Sequence, residues 1–167
     1  MLTPQQISDH IEIAQLIQRY GMALDENRYE LLDSVFTPDA FLHYEMVDQK
    51  TQGPYPMWRK LFASFLEPFY WTQHVFSDPI IELHGDRATS TCRLIATHVQ
   101  ILRDPATSDQ GPSDQKRNTW TVWGTYHDTL ERTPSGWRIR ERHFSSPHTE
   151  GEALPADRVT ARRDPTV

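Results

Sequence analysis

Two of the chain's eight histidines lie in surroundings that suit proton transfer. His74 belongs to the aromatic run Phe69-Tyr70-Trp71-Thr72-Gln73-His74-Val75-Phe76, and His98 to Ile95-Ala96-Thr97-His98-Val99. Apolar surroundings keep an imidazole neutral, and a neutral imidazole is a general base near physiological pH. Such a base works better when a carboxylate holds its other ring nitrogen, because the acid fixes the tautomer and stabilises the imidazolium formed after proton abstraction. Asp25 is the candidate partner. It follows Ala23 and Leu24 and continues a stripe from Tyr20 at about helical spacing, so it can turn inward. Tyr44 and Tyr20 carry phenol hydroxyls able to donate to a substrate carbonyl or a developing enolate oxygen.

Each of these residues has a plainer reading. A carboxylate near a helix end commonly caps or meets solvent, a buried histidine commonly satisfies a backbone carbonyl, and tyrosines pack. His43, His84, His127, His143 and His148 read as surface or strand-end residues. Two histidines and an acid could form a facial metal triad, but no HxH or HxxxH spacing supports one, and no metal is expected. The absence of GxSxG, Walker-type and GxGxxG motifs leaves acyl-enzyme, nucleotide and dinucleotide chemistry without their signals.

The elements that must position these residues follow from local pattern. Thr3-Pro4-Gln5-Gln6 is a helix start, and Ile7, Ile11, Leu16, Ile17, Tyr20 and Leu24 give that helix an apolar stripe ending near Asp25. A short helix is expected over residues 29–36, halted by Thr37-Pro38-Asp39. A strand follows over 40–44, and Gly53-Pro54 breaks the chain before a helix over about 55–66. From Trp71 the pattern is one of strands: 80–83 and 88–102 joined as a hairpin by His84-Gly85-Asp86-Arg87, then about 118–132 and 137–144 joined by Thr133-Pro134-Ser135-Gly136. Residues 103–117 read as a long mobile loop. The polar segment 151–167 reads as a tail, frayed or docked on a neighbouring subunit, after a single domain over 1–150. Helices segregated to one face of a curved sheet make an α+β domain enclosing a pocket.

The 167 residues fit one core, and 37% hydrophobic residues with 5 Trp, 6 Tyr and 7 Phe suffice to close it and line a cavity. A net charge of −6 opposes contact with a phosphate backbone, so nucleic acid is not an expected partner. Cys92 is the only cysteine; it excludes an intrachain disulfide and reads as a buried, inert thiol. No apolar stretch is long enough to span a bilayer, and MLTPQQISDH lacks the basic and apolar parts of a signal peptide. The expectations are no membrane association and a cytoplasmic location.

Four blocks together resemble the SnoaL-like branch of the nuclear-transport-factor-2-like superfamily: Ile13-Ala14-Gln15-Leu16-Ile17-Gln18-Arg19-Tyr20 with Ala23-Leu24-Asp25, Val35-Phe36-Thr37-Pro38-Asp39-Ala40, Thr72-Gln73-His74, and Gly124-Thr125-Tyr126-His127-Asp128 through Gly136-Trp137-Arg138-Ile139. The resemblance implies a cone-shaped α+β barrel, its strongly curved mixed or antiparallel sheet wrapped round N-terminal helices and an apolar pocket. It implies cofactor-independent lyase or isomerase chemistry, dehydratase-like or polyketide-cyclase-like, on a small hydrophobic or aromatic-like carbonyl compound. Asp25, Tyr44, His74 and His98 fall at the places that scytalone-dehydratase-like members use, and Asp25 with His74 at the base dyad of lindane-dehydrochlorinase-like members. Tyr20, Leu24, Trp58, Trp120 and Tyr126 are the expected substrate-binding wall. Leu24 stands where scytalone-dehydratase-like members place a second tyrosine, and Gly124 and Tyr126 replace their serine and asparagine, which implies a different substrate. The resemblance also implies a homodimer or homotrimer. It leaves open a non-catalytic alternative, a hydrophobic-ligand binder or structural subunit like the small subunits of ring-hydroxylating dioxygenases.

Overall fold

Thr3 opens the first helix as its spacing predicts. The computed structural model describes residues 1–47, 49–103 and 116–160. In it, α1 spans Pro4–Asp25, the Gln6 backbone N–H donates to Thr3 Oγ1 at 3.2 Å, and the Thr3 N–H donates to Gln6 Oε1 at 2.8 Å. The buried stripe runs Ile13, Leu16, Ile17, Tyr20 and Leu24. Ile7 and Ile11, expected on it, are 49% and 54% exposed; the buried position in that turn is Asp9. A charged residue there hides the true phase of the helix from a hydrophobic pattern.

Asp9 is buried because it is fully partnered. Arg132 donates to both its oxygens at 2.8 and 2.7 Å, and Trp137 Nε1 at 3.1 Å and Gln5 Nε2 at 3.0 Å donate to Oδ1. The Arg132 guanidinium holds the Asp9 carboxyl well below the usual carboxylate range against the opposing cost of burial. A depressed folded-state pKa contributes stability above the unfolded value of about 3.9, and that stability is lost as pH falls below it. Asp9→Asn is therefore expected to lower Tm at neutral pH and to flatten the acid limb of a Tm-against-pH curve; equal losses at every pH would show that the charge contributes nothing.

Residues Tyr29–Ser34 form a 3-10 helix that stops short of the expected end, because β1 already begins at Phe36 and runs to Met46. Pro38 is tolerated in this strand because it falls in the interval between the Phe36 and Phe41 pairings with β7, where no ladder bond needs its missing N–H. Strand β2 (Gln49–Pro54) was not expected. It is an edge strand with almost every residue exposed, so it shows no alternation. Then come α2 (Tyr55–Leu66), β3 (Trp71–Phe76), β4 (Ile80–His84), β5 (Arg87–Leu102), β6 (Arg117–Thr133), β7 (Gly136–Glu150) and β8 (Val159–Thr160).

The sheet is open and mixed, in the order β2-β1-β7-β6-β5-β3, with β4 and β8 also pairing with β5. Strands β1 and β7 pair in parallel, and the other described pairs are antiparallel. Tyr55, Trp58, Phe62 and Leu66 of α2 join the α1 stripe in one core with the inward residues of the sheet. Cys92 is buried in it, and burial pushes its thiol up. Beyond Gly151 the chain returns across its own β5: Gln100 brackets the Leu154 backbone with two bonds of 2.9 Å, and β8 pairs with Ile101 and Leu102. The tail thus docks on its own subunit as far as Thr160. The expected loop at 103–117, apart from its ends, and residues 161–167 lie outside the described residues.

The helix α1 approaches β3 closely at Gly21. A Cβ at Gly21 would stand 2.5 Å from Phe76 Cε2 and 3.3 Å from His74 Cβ. Glycine in mid-helix costs about 1 kcal/mol relative to alanine, and here it allows the close approach that carries Asp25, one turn later, to His74. Gly21→Ala is expected to destabilise by about 1–3 kcal/mol through overpacking rather than to stabilise through helix propensity. Urea unfolding measures this; a more stable variant would mean the approach is not constrained.

Candidate active site

Strand register sorts the inward side chains into rows across the concave face. Thr72, His98 and Trp120 form one, His74, Ala96 and Val122 the next. Further along, Cys92, Tyr126, Phe144 and Tyr44 form a row, and Ser90, Asp128, Arg142 and Leu42 another. The helices leave the middle rows uncovered over a cavity of about 230 Å³. Its wall includes Tyr20, Leu24, Tyr44, Trp58, His74, His98, Trp120 and Tyr126, together with Phe62, Phe65 and Phe144. Asp25 is not on that wall; it sits behind His74.

Three donors from β3 converge on the Asp25 carboxylate. The His74 ring lies with Nδ1 2.7 Å from Oδ1, the His74 backbone N–H donates to Oδ2 at 2.8 Å, and Thr72 Oγ1 donates to Oδ1 at 3.0 Å. Donors are needed here, since a carboxylate at a helix C-terminus faces the negative end of the helix dipole. An ionised carboxylate can only accept, so Nδ1 carries a proton, and in the neutral form of the ring Nε2 holds the lone pair. The side chain of His74 is 6% exposed and that of Asp25 21%.

His98 lies diagonally across from His74, with ring centroids 5.7 Å apart, packed on Phe69 and Trp120. Burial pushes it down to about 3, and the neighbouring His74 adds to the effect, so it is a neutral ring at physiological pH. Its Nδ1 is buried without a hydrogen-bond partner among the described residues.

At the other end of the cavity the Tyr20 and Tyr44 hydroxyls lie 2.9 Å apart, with Tyr126 OH 3.5 Å from Tyr20 OH. Burial pushes the Tyr44 and Tyr126 hydroxyls up, and both remain proton donors. Trp58 packs on Tyr44 with ring centroids 4.3 Å apart and planes tilted by 31°, and is itself fixed by Nε1 donating to Leu42 O at 3.1 Å.

Behind the tyrosines lies a group not anticipated from sequence. Arg142 donates through Nε and Nη2 to the two oxygens of Asp128, both at 2.7 Å, and both side chains are 0% exposed. The guanidinium stands 3.9 Å from the Tyr126 ring centroid and 4.3 Å from that of Tyr20. Asp128 holds Arg142 charged against the cost of burial. The signal was hidden by an irregularity: between Thr129 and Leu130 the β6–β7 register shifts, so Ile139 and Arg142 both point inward although they differ by an odd number of positions. Asp128 itself keeps the alternation of Tyr126 and Leu130, and that phase was the available clue.

A curved open sheet carrying helices over a histidine-lined cavity defines this as a cone-fold domain of the nuclear-transport-factor-2-like kind, a class that includes a Salmonella enterica protein superposing with TM-score 0.61 at 20% identity over 86% of this chain and 94% of that one. The chain belongs to the SnoaL-like family, whose domain matches residues 5–143. An uncharacterized protein of Mycobacterium tuberculosis is 32% identical over 143 residues, 85% of this chain and 88% of that one. A Novosphingobium aromaticivorans protein provisionally named a scytalone dehydratase superposes with TM-score 0.71 at 19% identity over 93% of this chain and 95% of that one. A hexachlorocyclohexane dehydrochlorinase, LinA type 2, does so with TM-score 0.66 at 15% identity over 89% and 91%. At such identities the structural likeness is one of fold. No described helix is long and apolar enough to cross a membrane.

Proposed function

We propose that this protein is a cofactor-independent lyase or isomerase, of the dehydratase or polyketide-cyclase kind, acting on a small cyclic or aromatic-like carbonyl compound. The observation that carries the proposal is the 2.7 Å contact of His74 Nδ1 with Asp25 on the wall of an apolar cavity. His74 Nε2 removes an acidic carbon-bound proton, and Asp25 stabilises the imidazolium that results. Tyr44, backed by Tyr20, donates to the carbonyl oxygen as enolate charge develops. His98, neutral and with Nδ1 unsatisfied, holds or assists a departing hydroxyl. A cavity of about 150 Å³ holds a benzene ring, so the roughly 230 Å³ here suits a substituted ring. The names of the two enzyme-like neighbours, a dehydratase and a dehydrochlorinase, agree with elimination chemistry.

A purely structural subunit would be favoured by a pocket packed solid with aromatics, and the cavity argues against it. A ligand carrier needs the same cavity and differs from the enzyme only in lacking turnover. The test does not depend on the identity of the product: a panel of cyclic and phenolic carbonyl compounds is incubated with the protein in D2O, and deuterium entry at the acidic carbon is followed by NMR. Enzyme-dependent exchange that vanishes in His74→Ala is expected. Binding of panel compounds without exchange would favour the carrier.

A further inference from the structure

We propose that the outer face of the sheet carries a binding site for a divalent transition cation of the zinc type, built from His43, Glu141 and His143. His43 and His143 face each other across the parallel β1–β7 pair, their rings stacked with centroids 4.1 Å apart and planes 6° apart. Glu141 is two residues before His143 on the same face of β7. Its Oε1 lies 3.2 Å from His43 Nε2 and 3.0 Å from His143 Nε2, and the three donor atoms all lie within 4.8 Å of one another.

Tetrahedral zinc, with bonds of about 2.0–2.2 Å to nitrogen and oxygen, holds adjacent donors about 3.3–3.5 Å apart. The two nitrogen–oxygen separations are within a few tenths of an ångström of that spacing. The stacked rings hold their in-plane lone pairs nearly parallel, so ligation requires one imidazole to turn about its Cβ–Cγ bond, a rotation for which the exposed His143 has room. His43 Nδ1 lies 3.1 Å from Gln52 Oε1, an acceptor, so Nδ1 carries a hydrogen and Nε2 is the ring atom left to ligate. A cation between Nε2 and the Glu141 carboxylate takes the place of a proton shared by them and makes both into ligands. Gln52 is then the outer partner that orients the ligating ring.

Two imidazoles and one carboxylate select zinc, copper or nickel over magnesium or calcium. The side chains are 30%, 44% and 55% exposed for His43, Glu141 and His143, which leaves room for water as a fourth ligand. The site lies directly behind the pocket: His43 adjoins Tyr44, and Arg142 lies between Glu141 and His143 with its side chain on the other face. A cation bridging this seam would tie together the two strands that carry the phenol and the guanidinium. Sequence spacing conceals the site because His43 meets the Glu141 and His143 pair only through cross-strand register.

The experiment is calorimetric titration of Zn2+ into chelator-treated, tag-free protein, with Co2+ absorption reporting coordination. One Zn2+ per chain is expected, and no heat with Mg2+. His43→Ala, His143→Ala and Glu141→Gln should each weaken binding by more than the about 10–100-fold that loss of an outer-shell partner costs, and Gln52→Ala by an amount within that range. His148→Ala, on the same face but outside the cluster, should bind like the parent. Melting curves of the metal-free variants establish that each is folded. The proposal is overturned if the parent takes up no Zn2+, if the three ligand variants bind as it does, or if the ratio is one Zn2+ per two chains.

Discussion

Replacing His74 by alanine should slow proton abstraction from a panel substrate by about 10²–10⁴-fold, the usual cost of losing a positioned base. Asp25→Asn should cost a comparable factor for a more specific reason. The carboxylate accepts from the His74 ring, the His74 backbone and Thr72. An amide has one acceptor oxygen, and whichever way it turns, its NH2 confronts a donor. The relief available is a change of tautomer: Nδ1 accepts from the amide and the ring proton moves to Nε2, on the pocket side. The base is then already protonated where it must accept. The two variants therefore separate in a way that a folding defect would not produce. His74→Ala leaves space that added imidazole can fill, with partial recovery of exchange, whereas Asp25→Asn gains nothing from imidazole. Rates come from deuterium incorporation followed by NMR, with Tm as the control for folding. Full exchange by His74→Ala would remove the dyad from the mechanism.

How much of this was legible in the sequence depends on which physical signal each feature leaves. The order of helices and strands was legible because α1 announces its start chemically, and β5 and β6 alternate over many residues. His74 and His98 were legible as candidates because aromatic and apolar neighbours surround them in sequence as in space, and Tyr44 through its phenol hydroxyl and the family resemblance. The pairing of Asp25 with His74 was legible only through the family resemblance, since 49 positions separate them and the approach depends on Gly21, whose missing side chain leaves no trace in a hydropathy pattern. Strand β2 was missed because an exposed edge has no period to read. Asp9 and Arg142 were missed for a shared reason: a buried charge looks like a surface charge until its partner is known, and Arg132 and Asp128 lie 123 and 14 positions away.

The buried pair of Arg142 and Asp128 yields the second large expected effect. Removing one partner of such a pair strands a charge in the core and costs about 3–5 kcal/mol. At about 2–4 °C per kcal/mol for a chain of this size, Arg142→Met or Asp128→Asn should lower Tm by roughly 6–20 °C. Replacing both by apolar residues, as in Arg142→Met with Asp128→Leu, should recover most of that loss, because no uncompensated charge remains and the desolvation of two ions is relieved. If the pair served stability alone, this double variant would also recover activity. The surroundings argue otherwise. Arg142 Nη1 is buried without a partner among the described residues, an arrangement disfavoured in a purely structural pair, and the guanidinium lies against the faces of Tyr126 and of Tyr20, whose hydroxyl backs that of the proposed donor Tyr44. A fixed cation there lowers the energy of negative charge growing on that oxygen without touching it. The double variant is therefore expected to melt near the parent yet exchange protons about tenfold more slowly, a smaller loss than the about 10²–10³-fold for removing a direct donor. Recovery of both properties would reduce Arg142 to scaffolding, and recovery of stability alone makes it the positioning residue of the tyrosine site.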